Sequence, residues 1–320
     1  TSNFRAGVNA GNSIESGGEK NVCVGDESGT ALTTGDQNVA IGFEALKTED
    51  AASSSVAVGA LALSTQDAGA GDAYNTAVGR KAGFAVTTGV QNTLIGGLAG
   101  DALTNSVLNT AVGYQALTAA TTADLNTAIG ATSLSTNILS DRNVAVGYGS
   151  LATHNLATNA DAYNTAVGYA AGTALTTGIE NTIVGGRAGD AFTTGQENAV
   201  FGQQALSTDT AGNHSTAIGH GALFSQNFST STDTNNTAVG FSAGAAVTTG
   251  VHNTIMGSNA GDAITTGTRN ISIGSSALTA DTIGSRAVAI GYEALATQNF
   301  TTATDNYNIG IGFQAGYAVT

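Results

Sequence analysis

Proline and tryptophan are absent from all 320 residues, cysteine and methionine occur once each, and lysine and arginine together number nine. Each shortage removes a class of answer. Without proline no backbone donor is lost, so nearly every N–H is free to enter a hydrogen-bonded ladder. With aromatics at 6% and no tryptophan, a wide core built on rings is excluded, and the interior must be thin and filled by small aliphatic side chains. The single cysteine, Cys23, cannot make an intrachain disulfide. Nine cations against 23 acids give a formal charge of −14, which argues against nucleic acid or an anionic membrane surface as a partner, because both reward a basic face. No apolar run approaches the roughly 20 residues that a bilayer span needs, so no membrane insertion is expected.

What the chain does have is repetition. Asn164-Thr-Ala-Val-Gly168 recurs in variant form with starts at 21, 38, 55, 75, 92, 109, 126, 143, 164, 181, 198, 215, 236, 253, 270, 287 and 308. The step between starts is 17, lengthened to 20 or 21 at four places. A fixed period of this kind means one small unit stacked on its neighbours, and it overrides the two-domain expectation that length alone suggests. The expected fold is therefore all-β: a solenoid or β-roll of about 17 stacked coils, with residues 1–20 an irregular start or partial coil and 21–320 a single repeat domain.

Columns within the repeat carry the detail. The first position is Asn except at Ser55, Ser215 and Ala287; the fourth is always a sizeable apolar residue and the fifth always Gly. Alternation over a β-branched run closed by Gly reads as a short strand entering a turn. Stacked Asn side chains should form an amide ladder. Three residues past the Gly only Ala or Ser occurs, a sign of close backbone approach. The next residue is Gly in one kind of coil (83, 100, 172, 189, 244, 261) and Leu in the other (117, 134, 151, 206, 223, 278, 295). Gly coils bring a large apolar residue three positions later, as in Val86, Leu103, Leu175 and Phe192. The order Gly, Gly, Leu, Leu sets a super-repeat of 72, visible in the starts at 164, 236 and 308, and the added length falls in polar loops at 66–74, 154–163, 226–235 and 298–307.

The strand is apolar on both faces, and such strands require cover on both sides. One side can be covered by the coil itself. The other, read here as the Ala column at position three with its periodic Leu94, Ile183 and Ile255, is expected to be buried against copies of the same chain in a closed threefold arrangement. Cys23 lies in that column and reads as a small buried hydrophobe.

Asn143-Val-Ala-Val-Gly147 and Ser55-Val-Ala-Val-Gly59 resemble the head repeats of trimeric autotransporter adhesins of the YadA kind, although the period here is longer. Asn109-Thr-Ala-Val-Gly-Tyr-Gln-Ala-Leu117 is similar to repeats in bacteriophage tail-fibre proteins. The resemblance implies a left-handed, trimeric β-roll and a fibre or adhesin segment, extracellular, on a virion tail fibre or a cell surface, with a host-surface glycan or protein receptor as partner.

No catalytic, cofactor or metal site is expected. Asp101, Asp190 and Asp262 sit in a phrase similar to calcium-binding β-roll nonapeptides, but they lie too many coils apart to share an ion. The four histidines show no ligand spacing. The candidate binding residues are the aromatics that follow the turn Gly, Tyr114, Tyr148, Tyr169, Phe241 and Tyr292, whose planar rings could stack on sugars. Two contrasting functions are weighed. The Thr-Thr-Gly rows suggest an ice-binding or other ligand-binding solenoid, although Leu coils interrupt the row. A polysaccharide-processing β-helix enzyme would need acids and bases clustered in one groove, and charge is instead scattered.

Overall fold

A computed structural model describes residues 2–319. The fold is all-β, with no helix among the described residues: a parallel β-solenoid in which equivalent positions of successive coils stand 17 apart in sequence. The chain divides into two compact units, Thr1–Tyr163 and Asn164–Thr320, each built from nine three-residue strands.

In the first unit Val22–Val24, Val39–Ile41 and Val56–Val58 pair in parallel with an offset of 17, and Thr76–Val78 joins them after one of 20. Thr93–Ile95, Thr110–Val112, Thr127–Ile129 and Val144–Val146 follow at 17. Phe4–Ala6 also pairs with Val22–Val24, at an offset of 18, so the first twenty residues hold a whole coil. The second unit repeats the scheme from Thr165–Val167 to Ile309–Ile311, with offsets of 21 at Thr237–Val239 and at Ile309–Ile311.

Every coil holds one three-residue strand, eight coils add a two-residue strand, and the rest of each coil turns. Three positions of every coil explain this: the second and fourth residues after the turn Gly, and the residue before Asn, adopt left-handed backbone angles. In the coil from Asn109 these are Gln115 (φ 56°), Leu117 (φ 55°) and Leu125 (φ 60°). Each such residue costs about 1–2 kcal/mol. The cost is offset because the backbone stays in the ladder: the N–H groups of Gln115, Leu117 and Leu125 donate to the carbonyls of Gly97, Ser133 and Val107.

The Asn column is buried from Asn21 to Asn270, and Asn308 is half-buried. The side-chain oxygen of Asn21 accepts from the backbone N–H of Asn38 at 2.9 Å, and its amide donates to the carbonyl of Gly35 at 2.8 Å. The same pair of bonds recurs at Asn38, Asn109 and Asn126. Amide-to-amide contact between successive Asn side chains is the longer interaction, 3.1–3.3 Å. Asn thus ties its own return leg to the next coil's strand, more than it bonds its own kind.

The invariant turn Gly has a steric cause. A Cβ on Gly113 (φ +138°) would lie 2.6 Å from the carbonyl carbon of Gly130 in the next coil. Side chains at position three of the repeat, the middle of each strand, point into the coil, where Ala77, Leu94, Ala111 and Ala128 are fully buried together with the Ala or Ser column. The expectation that this Ala column faces other copies of the chain is therefore corrected: the strands turn that side to their own core and expose positions two and four. Cys23 is buried there, and desolvation raises its thiol pKa to about 11.

Gly and Leu coils fill the same space by different routes. A Cβ on Gly100 would meet Leu103 at 2.7 Å and Leu94 at 2.8 Å, so the volume that Leu117 or Leu134 supplies in a Leu coil comes from Leu103 and Leu94 here. The long loops are not wholly irregular. Each returns as a two-residue strand paired with the preceding coil: Gly71–Asp72 on Ala52–Ser53, Ala160–Asp161 on Ser140–Asp141, Thr232–Asp233 on Gly212–Asn213, and Thr304–Asp305 on Gly284–Ser285.

Candidate binding surface

With position three turned inward, the strand alternation places positions two and four on the outer face. In the first unit this gives successive rows Thr76 and Val78, Thr93 and Ile95, Thr110 and Val112, Thr127 and Ile129, flanked by Val pairs. The second unit carries Thr165 and Val167, Thr182 and Val184, Ala199 and Phe201, Thr216 and Ile218, and so on to Ile309 and Ile311. No charged residue occupies either column in any of these strands. Val78, Ile95 and Ile129 are each 37–38% exposed, so each unit bears an uncharged strip two side chains wide, one column apolar and the other largely Thr. Exposed contiguous apolar surface of this kind marks association.

The five aromatics expected to bind, Tyr114, Tyr148, Tyr169, Phe241 and Tyr292, all stand on the surface about half exposed. They share one column but not one environment. Phe241 stacks on His220 with ring centroids 5.4 Å apart, and Tyr292 stacks on Phe313 at the same distance. Stacking between successive coils covers ring faces that a sugar would need. Tyr114 is flanked in the column by Gly97 and Ala131, which leaves it without a ring above or below.

Two further arrangements recur at the long loops. Inside, a buried acid meets a buried glutamine: Gln66 donates to Glu49 at 2.9 Å, Gln226 to Asp209 at 2.6 Å and Gln298 to Asp281 at 2.7 Å. Backbone N–H groups complete the carboxylates, Ala51, Ala52 and Ala68 at Glu49 and Gly212 and Phe228 at Asp209. At the remaining loop, 154–163, Asn137 replaces the acid and His154 the glutamine. His154 is fully buried, neither ring nitrogen has a hydrogen-bond partner, and desolvation lowers its pKa to about 4.

Outside, three loops end in Asp-x-Tyr. Tyr74 donates to Asp72 and Tyr163 to Asp161, both at 2.9 Å. Arg142, from the preceding coil, pairs with Asp161 and lies over the Tyr163 ring at 5.9 Å. Arg286 pairs with Asp305 at 2.9 Å and lies over Tyr307 at 5.6 Å. The sequence columns alone did not single out these tyrosines. The signal that could have found them is the recurrence of Asp-x-Tyr-Asn at the end of the lengthened coils.

The acids of the calcium-like phrase are otherwise engaged: Asp101, Asp190 and Asp262 accept from Thr118, Ser207 and Thr279 of the next coil. Glu49, Asp50 and Asp67 bring carboxylate oxygens within 4.8 Å of one another, but both oxygens of Glu49 already accept the bonds described above. No family model and no curated protein matches the chain.

Proposed function

We propose that the chain is a shaft segment of a homotrimeric fibre, of the kind by which a bacteriophage tail or a surface adhesin attaches to a host or another surface, working outside the cell. The observation that carries this reading is the uncharged outer strip of Val, Ile and Thr on each unit. Along nine coils at ~4.8 Å such a strip runs for roughly 40 Å, and a strand about 10 Å wide makes it several hundred square ångströms. That is at the upper end of what a monomer exposes, a size at which such patches are often functional. Three copies meeting around an axis would bury it, in a ring of equivalent interfaces. The resemblance of the Asn-Thr-Ala-Val-Gly repeats to adhesin and tail-fibre repeats supports the same assignment.

Light scattering tests it. The expected mass is three times the 31.4 kDa chain, and Val112→Lys with Ile129→Lys should reduce it while the far-UV spectrum keeps its β signature. A monomeric wild-type chain overturns the trimer.

One observation favours a second reading, that of a water-ordering, ice-binding face. Thr76, Thr93, Thr110 and Thr127 repeat on four successive coils beside Val or Ile. Thermal hysteresis by a monomer would select that reading; a trimer with none would remove it.

A further inference from the structure

We infer that the two full loop-root sets, Arg142 with Asp161 and Tyr163 in the first unit and Arg286 with Asp305 and Tyr307 in the second, are shallow sites for one neutral pyranose unit each. The inference deepens the attachment role proposed above and rests on it for its purpose. Four observations carry it.

The rings are open. Tyr163 is 53% and Tyr307 64% exposed. A tyrosine whose task was to pack its loop would be covered; here the guanidinium takes one side of the ring, and each residue stays more than half exposed. An exposed aromatic face receives the apolar C–H face of a sugar ring.

Beside each ring lies a matched donor and acceptor pair. The carboxylate and the guanidinium are already held against each other, so little side-chain freedom is lost when they bond adjacent hydroxyls of a ligand. Their charges cancel. In a chain of net charge −14, a neutralised surface site suits an uncharged sugar, whereas an acidic one would meet the field of the whole molecule.

The backbone fixes the set. Arg142, Tyr163, Arg286 and Tyr307 all hold left-handed angles (φ 57°, 51°, 64° and 52°), and Asp161 and Asp305 lie in the two-residue strands that pin each loop to the coil before it. A site on paired strands is more rigid than one on a free loop.

The set also recurs against expectation. Only nine Lys and Arg occur in the chain, and two of them stand at equivalent places on equivalent loops. The other two loops act as internal controls: Tyr74 faces Asp72 with Ser54 in place of the arginine, and Asn235 replaces the tyrosine where His214 approaches Asp233. Repetition suits a weak site, because several copies on one fibre engage a surface together and gain avidity without new contacts.

The test is binding of the full chain to an array bearing maltotetraose, cellotetraose, chitotetraose, N-acetyllactosamine and their sialylated counterparts. Retention on at least one neutral glycan is expected. Tyr163→Ala with Tyr307→Ala should raise the half-saturating concentration at least about tenfold, Tyr163→Phe with Tyr307→Phe should keep most of the binding, and Tyr114→Ala with Tyr148→Ala should leave it unchanged. Melting curves of each variant confirm that the fold is intact. Absence of neutral glycan binding, preference for the sialylated set, or loss caused equally by the Tyr114 and Tyr148 pair overturns the inference. Mass measured on the same samples separates the two ideas: a trimer that ignores neutral glycans defeats the sugar site alone, and a monomer defeats the fibre alone.

Discussion

Two faces of the same three-residue strand differ more than any two parts of the sequence do. Inward, Ala77, Leu94, Ala111 and Ala128 are fully covered, and their sizes vary only in step with the residues that share the core: Leu94 appears where Gly83 and Gly100 make room, Ala111 where Leu117 takes it. Outward, Thr, Val, Ile, Ala, Phe and Met exchange with one another and nothing compensates. Volume inside a coil must be matched to the packing density of an interior, because a void or an overlap there costs free energy at once. The outer columns carry no such constraint from their own chain. What they keep is lack of charge, as the association proposed above requires.

Breaking the inward side should have the largest effect. Gly113→Val places side-chain atoms where a Cβ already stands 2.6 Å from the Gly130 carbonyl carbon, and backbone cannot yield there without parting two coils. A loss of ~4 kcal/mol or more is expected in chemical denaturation. Next comes a pair of neighbours. Asn109→Ala leaves the Asn126 N–H and the Ala123 carbonyl without their side-chain partner and should cost about 3 kcal/mol, while Thr110→Val, one residue on and facing out, should stay within about 0.5 kcal/mol. Equal losses at the two positions would mean that the faces are not distinguished as described.

A further effect is conditional on pH and belongs to the one inward site where the pattern of acid and glutamine is broken. His154 has a folded pKa near 4, below the ordinary 6.5, so the unfolded chain binds the extra proton between those values. Its neutral form therefore favours the folded state fully above pH 6.5, and that contribution is lost as pH falls through the window toward 4, on the order of 3 kcal/mol in all. His154→Gln should flatten the decline between pH 6.5 and 4 in thermal melts, and adding Asn137→Asp should raise stability near neutrality by restoring the network seen at Asp209 and Gln226.

Much of this was legible in the sequence because stacking makes each column experience one environment. The turn Gly, the Ala or Ser column, the exchange between Gly and Leu coils and the places of the long loops all follow from counting. Other features were hidden for definite reasons. Asn was read as bonding to Asn, yet its amide reaches a carbonyl 14 residues on, a partner that only the closed coil brings near. The loop strands lack any apolar alternation, so nothing in Gly71–Asp72 or Ala160–Asp161 announces a ladder. Arg142 and Asp161 belong to different coils, and their meeting depends on the extra length of the lengthened coil being taken up outside the stack.

The sequence by itself determined the period, the residues that must be small and the register in which coils stack, because a parallel ladder repeats every side chain above its own kind. Only the tertiary structure decided which face of the strand is the inside. An alternation of period two is unchanged when its faces are exchanged, both faces here are apolar, and the choice falls to where the return leg of the coil passes, something no column of the repeat records.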